Sequence, residues 1–145
     1  VDLNSPFQEA CELLQGEIEE SKANIVSDPL PIVFVDKTLM TTVFKNLISN
    51  AIKFSPFAPR VEVVSIELPN DEVLIKVRDY GVGLDKEHTD KIFRPFGRAH
   101  NRDDFPGEGI GLATSQKIII EHGSVIKVES KKGEGATFSF VLRRA

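Results

Sequence analysis

A single cysteine, Cys11, in 145 residues leaves no partner for an internal disulfide framework. No stretch approaches the ~18 consecutive apolar residues of a membrane-crossing helix. Val1 opens no pattern of basic residues followed by an apolar run, so the chain reads as cytoplasmic, without membrane contact. Positive charge is not in excess: 18 Lys and Arg against 22 Asp and Glu leave a net charge of −4. That balance removes any general attraction to polyphosphate chains and argues against nucleic acid as a partner. It leaves room for a small anion held locally. Repeats, low-complexity tracts and linkers are missing too. The length suits one ordinary domain with its own core and has no room for a second of similar size.

The spacing of what is present predicts the elements. Ser5 and Gln8 form a capping-box pair around Pro6, and Phe7, Cys11, Leu14 and Ile18 recur at helical intervals, predicting a helix over 6–21. Cys11 lies on that stripe and reads as a small core hydrophobe. Residues 32–35 form a short β-rich run, after which Asp36 caps a second helix that extends to Phe54 before Ser55 and Pro56 stop it. The alternating runs 60–68 and 72–79, split by Pro69, Asn70 and Asp71, predict a hairpin. Residues 84–106 form a long, charged connection. A third helix runs from Glu108 to His122 and Gly123, and a closing hairpin pairs 125–130 with 136–142. Helices and antiparallel hairpins without strict β-α-β alternation imply an α+β fold, a mixed sheet packed on three helices.

Three groups of residues could do chemistry. Asn46, Asn50 and Lys53 stand at i, i+4 and i+7 of the second helix, within about 60° of one another around its axis. A carboxamide oxygen suits Mg²⁺ and a lysine suits phosphate; the asparagines could equally cap nearby backbone. Asp79-Tyr80-Gly81-Val82-Gly83 ends a strand with a carboxylate and two glycines, so that backbone can approach a ligand while Asp79 accepts from an amino group such as that of adenine. The same residues would also make a plain glycine-rich turn. Gly107, Gly109 and Gly111 open the third helix, where free N–H groups and the positive dipole end favour anions. Their spacing is neither that of the P-loop nor that of the Rossmann turn. The 84–106 connection joins the second group to the third and could close over a ligand.

Taken together, these residues resemble the catalytic ATP-binding domain of sensor histidine kinases, members of the GHKL superfamily. Five motifs occur in the family's order: an N box at 46–55, a G1 box at 79–83, an F box at 93–98, a G2 box at 107–112 and a G3-like run at 133–138. They span nearly the whole chain, and the opening residues, segment 30–36 and the N box look most like kinases of the phytochrome-like group. The resemblance implies the Bergerat fold, a two-layer α/β sandwich with three helices and a long ATP lid at 84–106. It implies Asn50 as the Mg²⁺ ligand, with Asn46 and Lys53 beside the phosphates. Asp79 would receive the adenine amine with support from Thr137, and Gly81 and Gly83 would hinge the lid. Arg98 would reach the transferring phosphoryl group, while Gly107, Gly109, Gly111 and Leu112 would cradle the phosphates. Asn46, Lys53 and Arg98 would be the catalytic set. Phe93 and Phe96 would anchor the lid by packing.

One position separates reaction classes. Superfamily members that hydrolyse ATP carry a glutamate base where this chain has Asn46, and an asparagine takes no proton at neutral pH. The resemblance therefore implies transfer of the γ-phosphoryl to a histidine on a separate dimerisation domain, with a response regulator downstream. His88, His100 and His122 lack the acidic and Thr-Pro or Ser-Pro surroundings of the family's acceptor helix. The chain thus reads as a single monomeric catalytic domain, 1–145, of a longer multidomain sensor. The competing readings are a non-catalytic nucleotide-binding docking module and an ATP hydrolase.

Overall fold

The computed structural model describes residues 1–55, 58–83, 92–93 and 111–145. Its elements are α1 (Asn4–Leu13), α2 (Gln15–Ser21), β1 (Asn24–Ser27), α3 (Lys37–Lys53), β2 (Arg60–Leu68), β3 (Glu72–Asp79), α4 (Gly111–Glu121), β4 (Lys127–Lys131) and β5 (Gly135–Arg143). The strands form one sheet in the order β1-β2-β3-β5-β4. β1 runs parallel to β2 and every other pair is antiparallel, so the sheet is mixed as expected.

Alternation along the strands puts Val61 and Val63 of β2, Val73, Ile75 and Val77 of β3, and Ala136, Phe138, Phe140 and Leu142 of β5 on one buried face. Met40, Val43, Phe44, Leu47, Ile48 and Ala51 of α3 are buried with them in one core. Phe7 of α1 meets Phe44 edge to face, ring centres 5.8 Å apart. Asp36 caps α3 as expected, accepting from the Leu39 N–H at 2.9 Å. In the β2–β3 turn Asn70 and Asp71 both take positive φ, 63° and 58°, the left-handed pair that a tight hairpin turn requires. His122 ties the end of α4 to the start of α3. Its Nε2 accepts from the Asp36 N–H at 3.1 Å, which leaves the ring proton on Nδ1 to donate to the Ile118 carbonyl at 2.8 Å.

Three expectations about the frame need correction. The helix expected over 6–21 starts at Asn4 and divides at Leu14, whose φ and ψ are −98° and 9°. Gly16 weakens the helix there, and the break lets Leu14 stay buried. The Ser5–Gln8 capping box is not formed: the N-cap position is Leu3, without a side-chain cap, and Asp2 Oδ1 instead accepts from the Asn4 N–H at 3.0 Å. Residues 32–35 make only isolated bridges, Asp2 with Ile32 and Val33 with Arg144. The sheet's first strand is β1, which has no apolar alternation to betray it because only Ile25 is even partly covered.

Candidate functional site

The α3 residues are placed on one helix face but in different surroundings. Asn46 is half-buried and its Nδ2 donates twice, to the Gly111 carbonyl at 3.0 Å and to Ser115 Oγ at 3.1 Å, tying α3 to the first turns of α4. Asn50, one turn on, is half-buried, and its carboxamide has no hydrogen bond to any described residue. Lys53 is exposed in the last turn.

Asp79 ends β3 with its side chain on the buried face of the sheet, 4% exposed. Its Oδ1 accepts from the Gly81 N–H at 3.0 Å and the Ala136 N–H at 3.2 Å. Burial pushes its carboxyl above the usual carboxylate range, and the two N–H donors oppose that only in part. Oδ2 accepts no hydrogen bond among the described residues. The glycines around it are sterically required. A Cβ on Gly81 would collide with the Phe54 carbonyl, one on Gly83 with the Lys131 carbonyl, and one on Gly135 with the Asp79 carbonyl. Gly83 and Gly135 also take φ of +69° and +87°, which disfavours side chains. The turn is fastened at both sides, by Val82 N–H to the Phe54 carbonyl at 3.0 Å and Gly133 N–H to the Val82 carbonyl at 2.6 Å. Beneath it lies Ser55 Oγ, buried and without a hydrogen-bond partner among the described residues.

Thr137 is not brought to Asp79. In the β3–β5 register it pairs with Arg78, and across β4 with Glu129, so its side chain lies on the opposite face of the sheet. The neighbouring Ala136 is the residue on the Asp79 side and supplies an N–H rather than a hydroxyl. The phase was readable from Phe138, Phe140 and Leu142, whose alternation makes Ala136 the inward residue. Ser115 is a further residue that motif reading missed; its only signal is a hydroxyl at the buried i, i+3, i+4 positions shared with Ile118 and Ile119.

Gly111 and Leu112 lie in the first turn of α4, Leu112 packing against the core. Arg98, Gly107 and Gly109 lie outside the described residues, as do Phe96, His88, His100 and most of the 84–106 connection. Of its described part, Ile92 is buried and Phe93 meets Phe138 edge to face at 6.1 Å. Among the described residues no cluster of His, Cys, Asp or Glu could hold a metal, and no helix is long and apolar enough to cross a membrane.

A mixed sheet backed by α3 and α4, with a buried strand-end carboxylate and an asparagine-bearing helix, defines a GHKL-type ATPase domain. Residues 35–145 match the model of the histidine kinase-, DNA gyrase B- and HSP90-like ATPases, and the chain belongs to that family. It is 44% identical over 142 residues to cyanobacterial phytochrome A of Nostoc sp. (strain PCC 7120 / SAG 25.82 / UTEX 2576), covering 97% of this chain and 18% of that protein. It is 32% identical to the adaptive-response sensory kinase SasA of Synechocystis sp. (strain ATCC 27184 / PCC 6803 / Kazusa), over 93% of this chain and 36% of that one. Among solved structures, the catalytic domain of histidine kinase ThkA superposes with a TM-score of 0.82 at 26% identity, covering 99% of this chain and 93% of that one. Full-length ShkA in complex with AMPPNP gives 0.83 at 25% identity, over 100% of this chain and 31% of that one. The expected fold and the expected kinship with histidine-kinase catalytic domains both hold.

Proposed function

We propose that this chain binds Mg-ATP and transfers its γ-phosphoryl to a histidine on a separate helical dimerisation domain, from which a response regulator is charged. Asp79 carries the reading. A buried carboxylate with one oxygen held by two backbone N–H groups and the other without a partner among the described residues is a preset acceptor for the exocyclic amine of adenine. The donor set fits the rest of the ligand. Asn50 has a hard amide oxygen without a partner among the described residues and would hold Mg²⁺, while Asn46 Oδ1 lies one turn away. When bound, the ion neutralises charge on the phosphates. Lys53 contributes a point charge, and the N–H groups at the start of α4 meet the phosphates with the helix dipole. Arg98 stabilises charge on the transferring group, and Gly81 and Gly83 hinge the lid. Asn46 is a carboxamide, which takes no proton at neutral pH, and offers water no base.

His122 is unsuited to be the acceptor because both ring nitrogens are engaged inside the domain. His88 and His100 lack the sequence surroundings of the family's acceptor, so on this reading the nucleophile is supplied by another domain, whose imidazole nitrogen forms the bond to phosphorus as the β–γ bridging bond breaks and ADP leaves. Support comes from the relatives: SasA is named a sensory kinase, and a 25% identical structure holds histidine kinase ThkA with response regulator protein TrrA, covering 100% of this chain at a TM-score of 0.77. On this reading residues 1–145 form one cytoplasmic, monomeric catalytic domain of a longer sensor, with no nucleic-acid or membrane contact of its own. The test is transfer of labelled γ-phosphate to a supplied dimerisation domain from a phytochrome-type relative. Label on its histidine supports the reading; nucleotide binding without transfer would favour the docking module.

A further inference from the structure

The Gly111 carbonyl can only accept a hydrogen bond, so the Asn46 group that meets it at 3.0 Å must be the amide nitrogen. The second amide proton goes to Ser115 Oγ at 3.1 Å. Both protons are then used, and the side-chain atom of Asn46 without a partner among the described residues is Oδ1. A Cβ on Gly111 would sit 3.5 Å from that oxygen, in ordinary contact, so the helix start packs against the carboxamide without displacing it. Ser115 itself is 0% exposed, at an α4 position shared with the buried Ile118 and Ile119. A hydroxyl there is unfavourable unless it is hydrogen-bonded, and Asn46 supplies the bond.

We propose that Ser115 is a positioning residue of the nucleotide site, acting through Asn46 and resting on the nucleotide-binding reading above. By taking the second amide proton it locks the carboxamide with its oxygen free. Asn46 thereby becomes an acceptor with no donor to offer, suited to a cation and its water shell and unsuited to a phosphate oxygen. The same bond joins α4, at whose start the glycine-rich run lies in sequence, to the helix that carries Asn50. Ser115 lies beyond the last glycine of the run, so glycine spacing does not point to it.

Two measurements on the whole chain separate this proposal from the reading it rests on. Proton–nitrogen NMR of the nucleotide-free protein should show the Asn46 side-chain amide with two well-separated protons, both slow to exchange. In Ser115→Ala, one proton should move to an ordinary position and exchange freely. Calorimetry with a non-hydrolysable ATP analogue should then show the gain in affinity on adding Mg²⁺ shrinking about threefold to tenfold in Ser115→Ala, the worth of one ordinary hydrogen bond, with Mg²⁺-free affinity nearly unchanged. If the alanine variant does not fold, Ser115→Cys, close in size and a weak acceptor, should show the same two changes. An ordinary, fast-exchanging Asn46 amide in the parent overturns the proposal without any nucleotide, as do unchanged amide signals or an unchanged Mg²⁺ gain in the variants. A parent that shows the locked amide but binds no analogue refutes the nucleotide-binding reading, and with it the positioning role.

Discussion

Asp79 and Ala136 are joined across the sheet by the Ala136 N–H, which donates to Asp79 Oδ1 at 3.2 Å and fixes the end of β3 against the start of β5. The carboxylate is thus oriented by backbone before any ligand arrives, at the expense of burying a charge.

That burial has a stability consequence of definite sign. The folded-state carboxyl is raised, so the folded chain holds this proton more tightly than the unfolded chain. Stability from this group is therefore greatest at low pH and falls as pH rises from the unfolded value through the raised folded one, then levels off. Asp79→Asn should melt higher than the parent at neutral pH, with the difference narrowing as pH falls through the carboxylate range. The same variant should bind ATP about tenfold to a hundredfold more weakly, because the base amine would lose a charged acceptor. Thermal melts and calorimetry check the two halves; tighter binding by the variant would contradict both the site and its orientation.

Thr137 belongs to the far face of the sheet, in register with Arg78 and Glu129. Thr137→Val should therefore leave affinity for an ATP analogue within about twofold of the parent, less than one ordinary hydrogen bond would cost. A tenfold loss in a titration would restore the threonine to the site.

The glycines divide sharply. Gly135 and Gly133 share a φ of +87°, but a Cβ on Gly135 would run into the Asp79 carbonyl whereas one on Gly133 meets nothing within 4 Å. Gly133→Ala should cost about 1 kcal/mol of backbone strain, while Gly135→Ala should cost upwards of about 3 kcal/mol or prevent folding. Urea denaturation of both variants gives the order directly.

Two buried or capping hydrogen-bonding groups should respond in opposite directions. Asp36→Ala removes the cap of α3 and should destabilise by about 1 kcal/mol. Ser55→Ala removes a buried hydroxyl without a partner among the described residues and should be neutral or stabilising by up to about 1 kcal/mol. A clear loss of stability in Ser55→Ala would mean that the hydroxyl has a partner, such as an ordered water.

The parts of the fold that were legible in the sequence are those whose information is local. The Asp36 cap, the apolar stripe of α3 and the Asn70-Asp71 turn follow from propensity and periodicity within a few residues. β1 was invisible because a short edge strand with one partly covered side chain has no pattern to read. The break at Leu14 goes with Gly16, a weak helix former, and with the burial of Leu14, and only the first of these is written in local propensity. At the candidate site, the shared helix of Asn46, Asn50 and Lys53 and the strand-end position of Asp79 follow from spacing. The partner of Asn46, 69 residues away, was not, since it depends on how α4 lies against α3. Thr137, which the resemblance puts beside Asp79, lies on the far face of the sheet because strand phase makes Ala136 the inward residue.

The most direct test of the account is a calorimetric titration of this chain with a non-hydrolysable ATP analogue, with and without Mg²⁺, beside Asn50→Ala. The account predicts saturable binding by the parent that Mg²⁺ strengthens, and a variant that still binds but has lost the Mg²⁺ gain. Absence of binding by the parent, or an Mg²⁺ gain that survives in Asn50→Ala, would contradict it.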